Sequence, residues 1–209
     1  MKNSNSLTDA ETRSRHLRIT EPSAWVKRFA PLIPENGAVL DLAAGGGRHS
    51  HHLQRLGHAV TAIDRDISGL GSLDGEVIEA DLEAEPAPFA DGGALHGRTF
   101  GGICVINYLH RPLMHDLVGA LAPGGVLIYE TFARGNEAFV RPRNPDHLLK
   151  SGELLELVQD RLQVIAYEHG IDEAAEIPGV KERICAVNDL GVSDRDDGEP
   201  ASHPVPPGN

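Results

Sequence analysis

The feature that most constrains the fold is an apolar run that opens into three consecutive glycines. Residues 38 to 43 are apolar except for Asp41, and Gly45, Gly46 and Gly47 follow almost at once, ahead of a helical segment at 49 to 56. Glycine lets the backbone turn sharply and approach a ligand closely, and N–H groups at a helix start can contact that ligand. This order is typical of the first βα turn of a doubly wound sheet, where ligands bind.

Other short runs of strand character alternate with helical segments or follow them. Seven strands are predicted, at residues 38–43, 59–63, 77–80, 103–106, 126–129, 162–168 and 182–187. The first five are apolar at almost every position, which suits parallel strands covered on both faces. The last two are joined too closely for a helical crossover, so they should pair antiparallel. The predicted fold is α/β: a doubly wound, mostly parallel seven-stranded sheet with an antiparallel last strand and helices on both faces.

Helix boundaries are marked by capping residues. A helix is predicted after Ser23 and another after Ser151, because serine hydroxyls accept hydrogen bonds from the first N–H groups of a helix. A third helix begins after Pro112 and ends at Pro123. The stretch 83–99 lacks a helical period, so a loop or a short helix is expected between the third and fourth strands.

The composition indicates one domain. Residues 21 to 190 carry the pattern, whereas 1–20 are polar and predict a disordered or lid-like segment, and 191–209 predict a disordered tail. The formal net charge of -12 argues against a nucleic-acid partner. No stretch is apolar enough to span a membrane, and both cysteines, Cys104 and Cys185, lie in apolar runs. We therefore expect a cytoplasmic protein without a membrane partner.

An acid marks each of the first three strands. Asp41 lies on the first, Asp64 ends the second about 20 residues beyond the glycines, and Asp81 ends the third. An acid at the end of the second strand can accept hydrogen bonds from ribose hydroxyls, and one at the end of the third can accept from the amine of adenine. The ligand is therefore predicted to contain adenosine.

Taken together, these motifs resemble those of class I S-adenosylmethionine-dependent methyltransferases. The resemblance rests on Asp41-x-Ala43-x-Gly45-x-Gly47, on Asp64 and Asp81, and on the Pro-Gly-Gly at 123–125. Within that class, segments 108–113 and 130–132 are similar to small bacterial enzymes of the tellurite-resistance type. The resemblance implies S-adenosylmethionine as cofactor, methyl transfer to a small-molecule acceptor, and a monomer or homodimer.

The resemblance also implies roles for individual residues. The cofactor contacts would come from the glycine turn, the strand ends and their neighbours: Asp41, Ala43, Gly45, Gly47, Asp64, Arg65, Asp81, Leu82 and Asn107. Asp41 and the glycines would hold the methionine end, Asp64 the ribose, and Asp81 with Leu82 the adenine. Ala43 replaces the commoner glycine, which is harmless if its φ is negative.

Substrate contacts are expected from the loops after the fourth and fifth strands. The candidates are Tyr108, His110, Arg111, Glu130, Thr131 and Arg134. The arginines there, with Arg141 and Arg143, indicate an anionic acceptor. His110 is the best candidate general base, since the pKa of histidine is near neutral, and Tyr108 could orient the acceptor. The alternatives are a structural or solvent-facing role for His110, which is the commoner one for such a histidine, and a core position for Tyr108.

Two other functions stay open at this point. A nicotinamide-dependent oxidoreductase shares the glycine turn and the acid on the second strand, but the third glycine of its G-x-G-x-x-G pattern is replaced by Ser50. A non-catalytic module that binds S-adenosylmethionine is compatible with every motif. No metal is predicted, because His49 and His52 share a helical face with no carboxylate at ligand spacing.

Overall fold

The computed structural model describes residues 19–175, 177–191 and 195–208. Helix α1 (Ala24–Phe29) precedes β1 (Val39–Leu42), which leads into α2 (Arg48–Arg55). The other strands and helices follow in this order: β2 (Val60–Asp64), β3 (Glu76–Glu79), β4 (Phe100–Ile106), α3 (Arg111–Gly119), β5 (Leu121–Phe132), α4 (Glu153–Val158), β6 (Gln163–Asp172) and β7 (Gly179–Val187). Short 3₁₀ helices lie at Ala30–Leu32, Asn136–Ala138 and Pro145–His147.

The seven strands form one sheet in the order β3-β2-β1-β4-β5-β7-β6. The pairs from β3 to β5 are all parallel, and β7 is antiparallel to both β5 and β6. The predicted fold class is thus confirmed, including the antiparallel last strand. As expected, 83–99 contain no helix, and the connection from β2 to β3 contains none either.

Each face of the sheet has its own core. Helices α3 and α4 cover one face, where Leu113, Leu117 and Leu154 are buried. Helix α1 and Leu53 of α2 cover the other, where the indole N–H of Trp25 donates to the Ile184 carbonyl oxygen at 3.1 Å. Buried apolar side chains on both faces stabilise the sheet and fix the positions of its strand ends.

The predicted helix caps have different outcomes. The hydroxyl of Ser23 accepts from the N–H groups of Trp25 and Val26, so it caps α1 as expected. The prediction for Ser151 was wrong, because α4 begins one residue later, after Gly152 with a φ of 82°. Its N-terminal N–H groups donate instead to the buried carboxylate of Glu182, which lies far along the chain and gives no local signal.

The chain ends are described only in part. The predicted N-terminal segment lies outside the described residues except for 19 and 20. Residues 195–208 have no helix or strand, and the Pro206 carbonyl oxygen accepts from Arg28 at 2.7 Å. No helix among the described residues has the length and apolar character needed to cross a membrane.

Candidate functional site

The predicted cofactor residues gather at one edge of the sheet. Strands β2, β1 and β4 are adjacent and parallel, so their carboxyl ends meet there. Asp64 ends β2, the glycine turn follows β1, and Asn107 follows β4. Open α/β sheets bind ligands in the crevice at such strand ends.

The glycine turn is held by the carboxylate of Asp64. One oxygen of Asp64 accepts from the N–H of Gly45 at 2.8 Å, and the other accepts from the N–H of Asp66 at 3.0 Å. Gly45 and Gly47 have φ values of 56° and 76°, which favour glycine. A Cβ on Gly47 would lie 2.7 Å from the Leu70 side chain, whereas one on Gly45 would meet no atom within 4 Å. The turn is therefore packed from below at Gly47 and open at Gly45.

The condition under which Ala43 would be harmless, a negative φ, is not met. Its φ is 58°, because the chain turns into the left-handed region immediately after β1. An L-residue pays about 1 to 2 kcal/mol for this conformation, which glycine adopts freely.

Replacing Ala43 by glycine is accordingly expected to raise the free energy of unfolding by about 0.5 to 1 kcal/mol, net of the extra entropy of glycine in the unfolded chain. Urea denaturation measures the change. The matched control is Ala44→Gly, because buried Ala44 is not among the residues with positive φ and glycine should destabilise there. A lower free energy of unfolding for Ala43→Gly than for wild type would contradict the presence of backbone strain at Ala43.

Asp41 lies beneath the turn rather than in the crevice. It is 1% exposed, and its carboxylate accepts from the Ser50 hydroxyl at 2.5 Å. Burial raises its pKa from 3.8 to about 6, against the opposing effect of the Ser50 hydrogen bond. Asp41 thus acts on the turn through Ser50 of α2.

This raised pKa makes the stability of the fold depend on pH. Because the folded state favours the protonated carboxyl, the contribution of Asp41 is full below pH 3.8 and is lost as pH rises through about 6. Asp41→Asn should therefore raise the free energy of unfolding near neutral pH by about 2 to 3 kcal/mol, and this gain should disappear near pH 4. Denaturation of both proteins across this range measures it, and a gain independent of pH would contradict the assignment.

Tyr108, with Asp81 and Leu82, lies on the other side of the turn. Leu82 is buried, whereas the exposed carboxylate of Asp81 accepts from the N–H of Glu83 at 3.0 Å. The hydroxyl of Tyr108 is buried. Burial raises the pKa of this hydroxyl, and the nearby carboxylates of Glu83 and Asp81 raise it further. Tyr108 is therefore a neutral donor beside the Glu83 and Asp81 carboxylates.

A cavity of about 260 Å³ opens beyond Asn107. In its wall the Lys181 ammonium lies 2.6 Å from one oxygen of Glu130 and 3.3 Å from the amide oxygen of Asn107. The Ser23 hydroxyl donates to the second oxygen of Glu130 at 2.9 Å. Burial raises the pKa of Glu130, but Lys181 and Arg183 outweigh this and hold it below its usual value. Glu130 is thus ionised beside the Lys181 side chain.

Several solved structures share this fold. TehB from Haemophilus influenzae superposes with a TM-score of 0.64 at 19% identity, over 84% of this chain and 65% of that one. The fold is that of the class I S-adenosylmethionine-dependent methyltransferases. No protein-family model matches the sequence, and no curated protein is significantly similar to it.

Other methyltransferases with this fold were solved with S-adenosylhomocysteine. NodS, an N-methyltransferase from Bradyrhizobium japonicum, has a TM-score of 0.57 at 15% identity, over 84% of this chain and 96% of that one. The 1,6-didemethyltoxoflavin-N1-methyltransferase from Burkholderia thailandensis, solved with 1,6-didemethyltoxoflavin as well, has a TM-score of 0.55 at 17% identity, over 86% and 81% of the two chains. The sequence resemblance to class I methyltransferases, and to the tellurite-resistance-type group that includes TehB, is therefore confirmed at the level of fold.

The methyltransferase fold places the predicted substrate residues in different surroundings. Glu130 lines the cavity, as does Asn107, whereas Thr131 is buried beside it. Arg111 forms a bidentate pair with Glu153, with atoms 2.6 and 2.9 Å apart, and also donates to two backbone carbonyls. Arg134 is exposed outside the cavity wall.

His110 and Arg65 lie on the Asp81 side of the turn. The Nδ1 atom of His110 is 4.0 Å from the Glu83 carboxylate, at the residue that precedes α3. Arg65 follows Asp64 directly and is exposed. The cavity therefore contains neither of the two candidate catalytic side chains, His110 and Tyr108.

Sequence reasoning missed the cations that do line the cavity. These are Lys27, Arg48, Lys181 and Arg183. A signal for two of them was present, because Lys181 and Arg183 lie two residues apart and so share one face of β7. That pattern places charge on a buried face, which proteins tolerate where the charge is paired.

One group of side chains has metal-ligand spacing. The ligand atoms of Asp41, His49 and Cys104 lie within 4.8 Å of one another, and all three residues are buried. Two already have protein partners, because Asp41 accepts from Ser50 and the His49 ring accepts from the N–H of Ser23. The absence of a metal stays a prediction.

Proposed function

We propose that this chain is an S-adenosylmethionine-dependent methyltransferase that acts on a small-molecule acceptor. The observation that carries the proposal is the pairing of the open glycine turn with Asp64 at the end of β2, beside a separate cavity beyond β4. Solved methyltransferases with this fold contain S-adenosylhomocysteine, the product of that cofactor.

The residues present are compatible with this cofactor. Gly45 leaves open space above the turn, and the two oxygens of Asp64 are acceptors suited to ribose hydroxyls. The hydroxyl of Tyr108 supplies a buried donor near Asp81 and Leu82. We assign Asp64 to the ribose, Asp81 with Leu82 and Tyr108 to the adenine, and Gly45, Gly47 and Asn107 to the methionine end.

S-adenosylmethionine, when bound, would supply an electrophilic methyl group, whose carbon would bond to a nucleophilic atom of the acceptor as its bond to sulfur breaks and S-adenosylhomocysteine leaves. The residues of the chain position the two reactants and exclude water from the site. Ser23 and Glu130 hold the start of α1 over the cavity, and Arg48 donates to the Glu21 carbonyl oxygen at 2.9 Å, so residues 21–23 cover the site. Orientation and desolvation can supply much of the rate without a general base.

A transfer assay tests the activity and the acceptor class. The full chain is incubated with S-adenosylmethionine labelled in its methyl group and a cell extract, which is then separated by size. We expect label in the low-mass fraction. Label in the macromolecular fraction would contradict a small acceptor, and no transfer by a protein that binds the cofactor would favour the non-catalytic module.

The setting of the protein stays a prediction. Cys104 and Cys185 are buried free thiols, and burial raises the pKa of both. We propose a cytoplasmic monomer or homodimer in which these thiols stay reduced.

A further inference from the structure

The hydrogen-bond partners in the cavity wall indicate what kind of acceptor it takes. Its carboxylates are already engaged by the protein. Glu130 accepts from Lys181 and Ser23. Asp172 accepts from Arg183 at 2.6 Å and from the N–H groups of Ala174 and Ala175. The third, Glu21, lies 3.6 Å from Lys27 at the exposed rim.

Donors in the same wall are left over. The Lys181 ammonium has three N–H groups and contacts two acceptors, Glu130 and Asn107, although it is only 4% exposed. The third N–H has no oxygen acceptor among the described residues, and the ammonium lies 5.1 Å from the centroid of the Phe132 ring. A buried donor without an acceptor costs free energy, so a ligand that supplies one gains affinity here.

The rest of the wall is apolar. It contains Ile19, Pro22, Ala24, Ala174, Ala175 and Ile177. An inorganic anion would leave these side chains without contacts, whereas an organic group would bury them. The cavity therefore combines a cationic donor with an apolar surface that can pack against the carbon skeleton of a ligand.

We infer that the methyl acceptor is an organic acid whose carboxylate is bound by Lys181. The carbon skeleton of the acid lies against Ile177 and its apolar neighbours. Lys181 is thus the residue that determines specificity for acids. This inference rests on the proposed function, because it assigns the cavity to the acceptor.

Calorimetry on the full chain saturated with S-adenosylhomocysteine tests the inference. The probes are acetate, propionate, benzoate and phenylacetate, each compared with its amide. At least one acid should bind ten times more tightly than its amide, about 1.4 kcal/mol. If no acid does so, the inference is overturned.

Variants of the ion pair assign the effect to Lys181. Lys181→Met should abolish the preference for acids, and Lys150→Met, at an exposed position outside the cavity wall, should keep it. The double variant Glu130→Gln with Lys181→Met removes both charges, so it tests the loss of preference in a folded protein if the single variant unfolds. Glu130→Gln alone should bind the acid more tightly, because it removes the anion that competes for the ammonium.

The results separate this inference from the proposed function. If S-adenosylhomocysteine does not bind, the proposed function fails. If it binds to wild type and to Lys181→Met alike, but both proteins prefer the acid equally, only the role of Lys181 fails. A purely structural Lys181 would not change the ratio of acid to amide affinity.

Discussion

Glu130→Gln and Lys181→Met are each expected to lower the free energy of unfolding by about 3 to 5 kcal/mol, because each leaves a buried charge without its partner. The two side chains are 4% and 5% exposed, and their charged atoms are 2.6 Å apart. The double variant should lie closer to wild type than either single variant, since removal of both charges also removes the cost of burying them.

Urea denaturation of the four proteins measures this as a double-mutant cycle. The matched control is the pair Lys27 and Glu21, whose side chains are 42% and 71% exposed. Solvent screens an exposed pair, so Lys27→Met should cost about 1 kcal/mol or less. If the effects of Glu130→Gln and Lys181→Met simply add in the double variant, the two groups are not coupled.

Asp64→Ala is expected to weaken the binding of S-adenosylhomocysteine at least tenfold, about 1.4 kcal/mol or more. The substitution removes the acceptor assigned to the ribose hydroxyls and also the carboxylate that holds the N–H of Gly45. Both losses should weaken binding, so Asp64→Ala is the substitution expected to lower the affinity for the cofactor most.

Asp66→Ala separates specific contact from general loosening of the loop. Asp66 lies in the same loop, and its carboxylate accepts from the N–H of Ser68 at 3.1 Å. Its substitution should change the affinity by less than about twofold. Equal losses of affinity in the two variants would contradict the assignment of Asp64 to the cofactor site. Calorimetric titration measures both variants, and their unfolding curves show whether each is folded.

Local sequence patterns were sufficient for the fold. Each of the first five apolar runs became a strand, and the short link between the last two predicted an antiparallel pair. The glycine turn could also be predicted from the sequence, because the left-handed backbone at Gly45 and Gly47 favours glycine. These features depend on neighbours in the chain.

The acceptor side depends on contacts between distant residues. Arg111 was predicted to face the substrate, but it pairs with Glu153. The two residues are 42 positions apart, so no local sequence pattern could have predicted this pair. The network of Ser23, Glu130 and Lys181 joins α1, β5 and β7, which meet only after the sheet has formed. Ala43 shows a further limit, because its backbone is forced by the turn against the preference of alanine.

The measurement that most directly tests the central claim is calorimetric titration of the full chain with S-adenosylhomocysteine and, separately, with NADH. The glycine turn, Asp64 and the lack of a third glycine at Ser50 together predict that the first ligand binds and the second does not. Binding of NADH without binding of S-adenosylhomocysteine would contradict the account and would make the chain an oxidoreductase.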